Sequence, residues 1–215
     1  MRVRFVCLAN SYKEGGRCIA GIELDNNNVP VIIDDRPKWI RPVSRIGHGE
    51  VPTPLVVRMR ILDIVEINVT GFPDLSYQSE NVFFDEYHIR KVGKFPINNL
   101  KSLCWNRPTI FRNTGKAVHE SKIGMLTYSL MFIRITDFMV ADVVSEKSGK
   151  TKARLVFFYN GQEYDLVVTD PVFLQEYQFN RHLLNKAREL FVCTSLGVLW
   201  EGWHHKLIAG IIMRK

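Results

Sequence analysis

The sequence predicts a mostly β protein: two OB-like five-stranded barrels packed together, with one helix of about 15–20 residues in the C-terminal half. Short β-branched or alternating segments, separated by turn-forming residues, recur along the chain and are typical of barrels. In the second half, the predicted elements follow the order strand, strand, strand, helix, strand, strand. That order, with the helix after the third strand, is the order of an OB-type barrel.

The first half contains several strand candidates and one short helix. Residues 60–69 alternate between apolar and polar side chains, and the alternation slips once near Ile64–Val65. Such a slip suits a β-bulge in a curled strand. The first-half strands are predicted at 2–9, 17–24, 31–33, 38–43 and 60–69, with a weaker candidate at 82–90 and a short helix at 97–104.

The second half has clearer local signals. Asn160–Gly161 predicts a tight hairpin because both residues accept positive φ. Asp170 and Pro171 are typical of a helix N-terminus, and the helical pattern extends to about Leu190 with or without a break near Phe179–Asn180. The second-half strands are predicted at 129–144, 152–159, 162–169, 191–195 and 206–214.

These elements predict three parts: an N-terminal OB-like barrel at 1–95, a basic connector at 96–125 and a C-terminal OB-like barrel at 126–215. The chain has 215 residues, of which 46% are apolar, so wholesale disorder is excluded. The apolar runs are far shorter than the roughly 20 residues that cross a bilayer, and the N-terminus lacks the apolar core of a signal peptide. We therefore expect a cytoplasmic protein with no membrane partner.

Composition also argues against metal and redox centres. The four cysteines are widely spaced and form no C-x-x-C pair, so we expect free thiols and neither a zinc ribbon nor a thioredoxin-type motif. The histidines are scattered, and the adjacent His204 and His205 would point to opposite faces of a strand. No spacing of side chains is typical of a catalytic centre, so we predict no cofactor and no catalytic residue.

Positive charge is concentrated in the middle of the chain. The net charge is +7. Residues 87–122 contain eight basic side chains and one acidic one, interleaved with aromatic residues. Basic and aromatic side chains together can hold phosphates and stack bases. The alternative is a solvated connector whose aromatic residues anchor it to the two cores.

Two turns and one strand supply further binding candidates. Lys150 and Lys152 lie in the hairpin at 147–154, which would border the binding groove of an OB barrel; a solvated hairpin tip is the alternative. Lys13 and Arg17 flank a glycine-rich turn that could present N–H groups to an anion, although it lacks the spacing of a Walker loop and could be a plain hairpin turn. The segment WIRPVS places a tryptophan and an arginine on one face of a strand, either to stack a base or to form a barrel wall.

Several segments, taken in order, resemble a bacterial family of dual OB-containing domain proteins. They are LANSYKEGGRCIAGIE, WIRPVS, LDIVEINV, YQSENV and the C-terminal TSLGVLWEGWHHKLIAGII. The resemblance covers nearly the whole chain and implies two OB-like barrels. It implies no catalytic residues.

The leading hypothesis is a non-enzymatic module that binds single-stranded DNA or RNA in a basic groove with aromatic stacking. One alternative is a protein-interaction or accessory subunit, which an exposed apolar patch around Trp200 or Trp203 would favour. Another is an enzyme or sensor for a small anion such as a nucleotide, which requires a pocket where Arg17, Arg41 and Glu80 converge. The candidate nucleic-acid contacts are Lys13, Arg17, Trp39, Arg41, Lys91, Lys94, Trp105, Arg107, Arg112, Lys150 and Lys152.

Overall fold

The computed structural model describes residues 1–13, 15–73, 76–144, 149 and 151–215, with only the backbone of Ser76. The chain divides into two compact units, Met1–Trp105 and Asn106–Lys215. This division falls inside the segment that the sequence suggested as a connector, so residues 96–125 contribute to both units.

The first unit is a closed five-stranded barrel. Its strands are ordered β1-β2-β5-β7-β6, and all neighbours are antiparallel except β5 and β7, which are parallel. A two-stranded ribbon, β3–β4, lies between the second and third barrel strands in sequence. The elements are β1 (Arg2–Lys13), β2 (Gly16–Leu24), β3 (Ile32–Ile33), β4 (Arg36–Pro37), β5 (Trp39–Val43), α1 (Thr53–Val56), β6 (Asp63–Gly71) and β7 (Asn81–Lys94), with 3-10 turns at Ser76–Gln78 and Ile97–Leu103.

The core of this barrel is made by the inward side chains of its strands. Ile19, Ile40 and Ile67 pack in one buried cluster with Val56 of α1. The short helix therefore contributes to the core between the third and fourth barrel strands, where an OB barrel carries its helix. The pairing of β6 with β7 shifts register between Ile64 and Val65, so the predicted bulge is confirmed.

The second unit is built on a seven-stranded sheet ordered β10-β11-β12-β14-β13-β9, with β8 also paired to β14. Its elements are β8 (Ala117–His119), α2 (Glu120–Ile123), β9 (Leu130–Ile135), β10 (Phe138–Val144), β11 (Thr151–Tyr159), β12 (Gln162–Val168), α3 (Pro171–Phe179), β13 (Glu189–Trp200) and β14 (Trp203–Arg214), with 3-10 turns at Ile110–Arg112 and Leu183–Lys186.

This sheet has the OB order once β9 and β10 are taken together. They are two halves of the strand predicted at 129–144, interrupted at 136–137. One half pairs with the fourth strand β13 and the other with the second strand β11, while the third and fifth strands, β12 and β14, are parallel. The same order is found in the first barrel. The prediction of two OB-like folds is therefore confirmed.

The C-terminal helix is shorter than the predicted 15–20 residues. Asp170 caps it through hydrogen bonds from the Val172 and Phe173 amides, and Pro171 occupies its first turn, as expected. The helix has nine residues and ends at Phe179 because Asn180 is extended, with φ −136° and ψ 94°. The Asn180 side chain accepts a hydrogen bond from the His182 amide. Such local bonds compete with helix continuation.

The Asn160–Gly161 hairpin is confirmed, with φ of 49° and 75°. We expect Gly161→Ala to lower the free energy of unfolding by about 1 kcal/mol, because a Cβ is unfavourable at positive φ even in open space. Urea denaturation would measure it. Gly124 is the matched control: it also has open space around it but a φ of −62°, so Gly124→Ala should not destabilise the protein. Equal losses for both variants would contradict this explanation.

The final hairpin is tighter than the predicted loop. Gly197 lies within β13, and only Glu201 and Gly202 separate β13 from β14. Both turn residues have positive φ.

In the described part of the chain, no helix is long and apolar enough to cross a membrane.

Candidate nucleic-acid interface

One face of the second unit combines cations with exposed aromatic rings. Along β11, Ala153, Leu155 and Phe157 are buried, so Lys152 and Arg154 lie on the outer side of the sheet. We call this outer side the β11–β14 face. Its polar and aromatic residues are Lys116, Lys152, Arg154, Asp165, Trp200, Trp203 and His205.

Asp165 links two of these cations. Its carboxylate accepts hydrogen bonds from Arg154 Nε and from Lys116 Nζ, each at 2.5 Å. Burial alone would raise the pKa of Asp165, but the hydrogen bonds from Arg154 and Lys116 outweigh it and hold the pKa below its usual value. The single carboxylate of Asp165 therefore holds the two cations Lys116 and Arg154 in place. Lys152 is a further, exposed cation on this face.

His205 extends this face toward the final hairpin. Burial lowers its pKa, and the nearby charges of Lys152 and Arg154 lower it further. The ring is therefore mainly neutral at pH 7. It lies next to Trp200, with the two ring centroids 5.7 Å apart.

Two tryptophans flank the β13–β14 turn. Trp200 and Trp203 are directly opposite each other across the hairpin, and their exposed fractions are 51% and 44%. Trp203 also meets His119 edge-on at 4.8 Å. In the sequence, these tryptophans indicate only a possible protein partner. Their place on the same face as Lys152 and Arg154 depends on strand pairing that the sequence does not show.

Other predicted contacts in this unit are exposed but less tightly grouped. Arg107 and Arg112 are both exposed. The Arg107 amide donates to Tyr159 Oη at 2.9 Å, so its backbone is fixed. Lys150 lies outside the described residues.

Ion pairs neutralise part of the positive charge in the central segment, residues 87–122. Lys91 Nζ is 2.7 Å from Asp63 Oδ1, and Arg90 forms an ion pair with Glu66. These acids lie outside the segment in sequence, so counting charges along the chain overstated its free positive charge. Lys94 is exposed, and Trp105 is partly buried.

Lys13 and Arg17, the two cations beside the glycine-rich turn, each make a contact within the first unit. Lys13 Nζ donates to the His48 carbonyl at 2.6 Å. The Arg17 guanidinium lies over the Tyr12 ring, 4.5 Å from its centroid. The His48 amide donates to the carboxylate of Glu50. The turn around His48, which Lys13 contacts, therefore already donates a hydrogen bond to a carboxylate of the chain itself, that of Glu50.

Trp39 and Arg41 are both buried, at 8% and 4% exposure. Arg41 Nη2 forms an ion pair with Glu80 Oε1 at 2.8 Å. Their burial supports the barrel-wall interpretation and removes both residues from the surface open to a nucleic acid. The Arg17 guanidinium lies over Tyr12, whereas Arg41 pairs with Glu80. Convergence of Arg17, Arg41 and Glu80 on a small-anion pocket stays a prediction.

The two units together define a protein with two OB folds. A family model described as "Dual OB-containing domain" matches residues 3–211, and the chain belongs to this family. No curated protein matches the chain. A solved structure described as "Molecular basis for abrogation of activation of pro-inflammatory cytokines" is similar over 100% of this chain and 93% of that chain. Its identity of 11% and TM-score of 0.35 carry no argument about function.

Proposed function

We propose that the protein is a non-enzymatic module that binds single-stranded nucleic acid on the β11–β14 face. One observation carries the proposal: the exposed Trp200 lies beside His205, which is near Lys152 and Arg154, and the exposed Trp203 is directly opposite Trp200. OB folds bind oligonucleotides at their second and third strands and at the loops after the first and fourth strands. Here those strands are β11 and β12, and the loop after the fourth strand is the turn between the two tryptophans.

The proposed contacts contribute unequally to the free energy of binding. Each base stacked on a tryptophan contributes about 1–3 kcal/mol, with little dependence on base identity. Lys116, Lys152 and Arg154 would neutralise phosphates, but Asp165 already offsets one of their charges. We therefore expect stacking to dominate affinity.

The salt dependence should be shallow for the same reason. With a net charge of two on the face, the logarithm of affinity is expected to fall by about 1 to 2 units per logarithmic unit of salt. Fluorescence anisotropy of a labelled oligothymidylate at several salt concentrations would measure this slope. Absence of binding at low salt would remove the proposal.

Substitution of the tryptophans separates stacking from general attraction. Trp200→Ala and Trp203→Ala are each expected to weaken oligonucleotide binding by about 5- to 150-fold, the loss of one stacked base. Phe179→Ala is the matched control, because this aromatic ring is 83% exposed but lies at the end of α3. If the control weakens binding as much as the tryptophan variants, the assigned face is wrong.

The cations can be tested in the same titration. Lys152→Ala should reduce the salt slope by about 0.7, the contribution of one phosphate on a single strand. Lys186, exposed in the 3-10 turn before β13, provides the control substitution. An unchanged slope in Lys152→Ala would show that this residue does not neutralise a phosphate.

A protein partner is the second candidate function, and the apolar surface next to the tryptophans favours it. Val198 and Leu199 are 47% and 50% exposed. Val198 discriminates between the candidates, because it lies in the bulge opposite His205 and its aliphatic side chain offers no ring for base stacking. Val198→Ala should leave oligonucleotide affinity unchanged if the ligand is a nucleic acid, whereas a drop equal to that of Trp200→Ala would favour an apolar protein contact.

A further inference from the structure

A lysine is buried inside the second unit, and none of the carboxylates that the structure describes pairs with it. Lys206 is 2% exposed, although lysine is almost never fully buried unless it is paired. Its Nζ donates to the Asn113 carbonyl at 2.7 Å and lies 5.1 Å from the centroid of the Tyr164 ring. Among the described residues, no acid forms an ion pair with it.

Lys206 and Tyr164 together hold the chain segment that covers them. We call residues 110–116 the cover segment. The Lys206 amide donates to the Lys116 carbonyl at 2.9 Å, so this lysine binds the segment at two points. Tyr164 Oη accepts from the Ile110 amide at 3.1 Å and donates to the Asn113 carbonyl at 3.3 Å.

The backbone of the cover segment depends on these contacts. Phe111 and Arg112 have φ of 52° and 59°, in the left-handed region. Two consecutive non-glycine residues in this region cost about 1–2 kcal/mol each, so the conformation persists only where surrounding contacts impose it. Phe111 contributes one such contact, because its ring is buried against Tyr128.

We propose that Lys206 is a proton-controlled latch: when its amine gains a proton, the cover segment opens more often so that water can solvate the charge. Opening would also free Lys116, whose Nζ pairs with Asp165 on the β11–β14 face. The latch therefore links protonation inside the barrel to the arrangement of cations outside it.

The groups around Lys206 leave its charge largely uncompensated. Tyr164 faces it from β12, and burial raises the pKa of that phenol, which keeps it neutral. From β13, the cross-strand partner is the apolar Leu196. On the cover segment, the charged groups are Arg112, which is exposed, and Lys116, which is paired with Asp165. On β14 itself, the neighbouring titratable groups are His204 and His205.

The direction of the pH effect follows from burial. Desolvation lowers the pKa of Lys206 from 10.5 to about 7 in the closed form. In the open form, the amine recovers its ordinary pKa. The ratio of open to closed molecules should therefore rise as pH falls from about 10.5 to about 7, by at most about tenfold per pH unit, and then level off.

Hydrogen exchange of the ligand-free protein between pH 6.5 and 8.5 tests the latch. After correction for intrinsic exchange rates, protection of the Ile110 and Lys206 amides should increase with pH, by up to about tenfold per unit above pH 7. The Leu174 amide, bonded to the Asp170 carbonyl in α3, is the internal control and should show no such trend. Protection that does not depend on pH would overturn the proposal.

Two variants sharpen the result. Lys206→Met should remove the pH dependence, and Lys206→Arg, which stays charged, should keep protection low at every pH. If either variant fails to fold, the wild-type profile still decides. A pH trend that persists in Lys206→Met would show that a titratable group other than Lys206 causes the trend. Because no oligonucleotide is present, failure of the latch leaves the nucleic-acid proposal untouched.

Discussion

Arg41→Ala is expected to lower the free energy of unfolding by about 3–5 kcal/mol, because it leaves the buried Glu80 carboxylate without its ion-pair partner. Glu80 is 5% exposed, so water cannot replace the lost guanidinium without opening the barrel wall. The Arg41 amide also donates to the Glu80 carbonyl at 2.8 Å, which joins β5 to the start of β7. Urea denaturation followed by tryptophan fluorescence would measure the loss.

Arg90 provides the matched control in the same unit. It also pairs with a glutamate, Glu66, but 65% of its side chain is exposed. Arg90→Ala should therefore cost at most about 1 kcal/mol. A double variant, Arg41→Met with Glu80→Leu, should recover much of the loss because it leaves no buried charge. Equal losses for Arg41→Ala and Arg90→Ala would contradict the assigned role of the buried pair.

The second large effect is expected at Asp170. Its Oδ1 accepts hydrogen bonds from the Val172 and Phe173 amides, and its Oδ2 accepts one from the Ile211 amide at 3.1 Å. One carboxylate thus caps α3 and fastens it to β14. Removing it leaves three backbone donors without this acceptor, so Asp170→Ala should lower the free energy of unfolding by about 2–4 kcal/mol.

Asp142 is the control for this substitution. It is exposed and forms an ion pair with Arg181, so Asp142→Ala should cost at most about 1 kcal/mol. The loss of unfolding free energy in Asp170→Asn should be intermediate. The amide keeps one acceptor oxygen for the cap, but its NH₂ group meets the Ile211 amide, which is also a donor. A cost for Asp170→Asn equal to that of Asp170→Ala would show that the cap alone contributes little.

Local signals predicted the parts of the fold that local chemistry determines. Asn160–Gly161 and Asp170–Pro171 act through the conformations and hydrogen bonds of their own residues, so each was recognisable in the sequence. The bulge near Ile64 was visible as a slip in alternation. A break near Phe179–Asn180 was one of the two outcomes that the helical pattern left open, and α3 ends there. The interruption at 136–137 of the strand predicted at 129–144 was harder to predict, because apolar residues flank it on both sides.

The candidate site was less predictable because it depends on contacts distant in sequence. The charge of Lys91 is offset by Asp63, 28 positions earlier, which a count along the segment cannot reveal. Trp39 looked like a stacking residue, but both faces of β5 are buried. Lys206 follows two histidines in a strand and gave no sign of burial, since the carbonyl that binds it lies 93 positions away.

The four tryptophans allow a direct test of the proposed interface. Indole N–H resonances of the ¹⁵N-labelled protein would be followed during titration with oligothymidylate at low salt. We expect the Trp200 and Trp203 signals to shift with a common affinity while the buried Trp39 signal stays in place. Saturable binding that leaves both Trp200 and Trp203 unshifted, or no binding at all, would contradict the proposed interface.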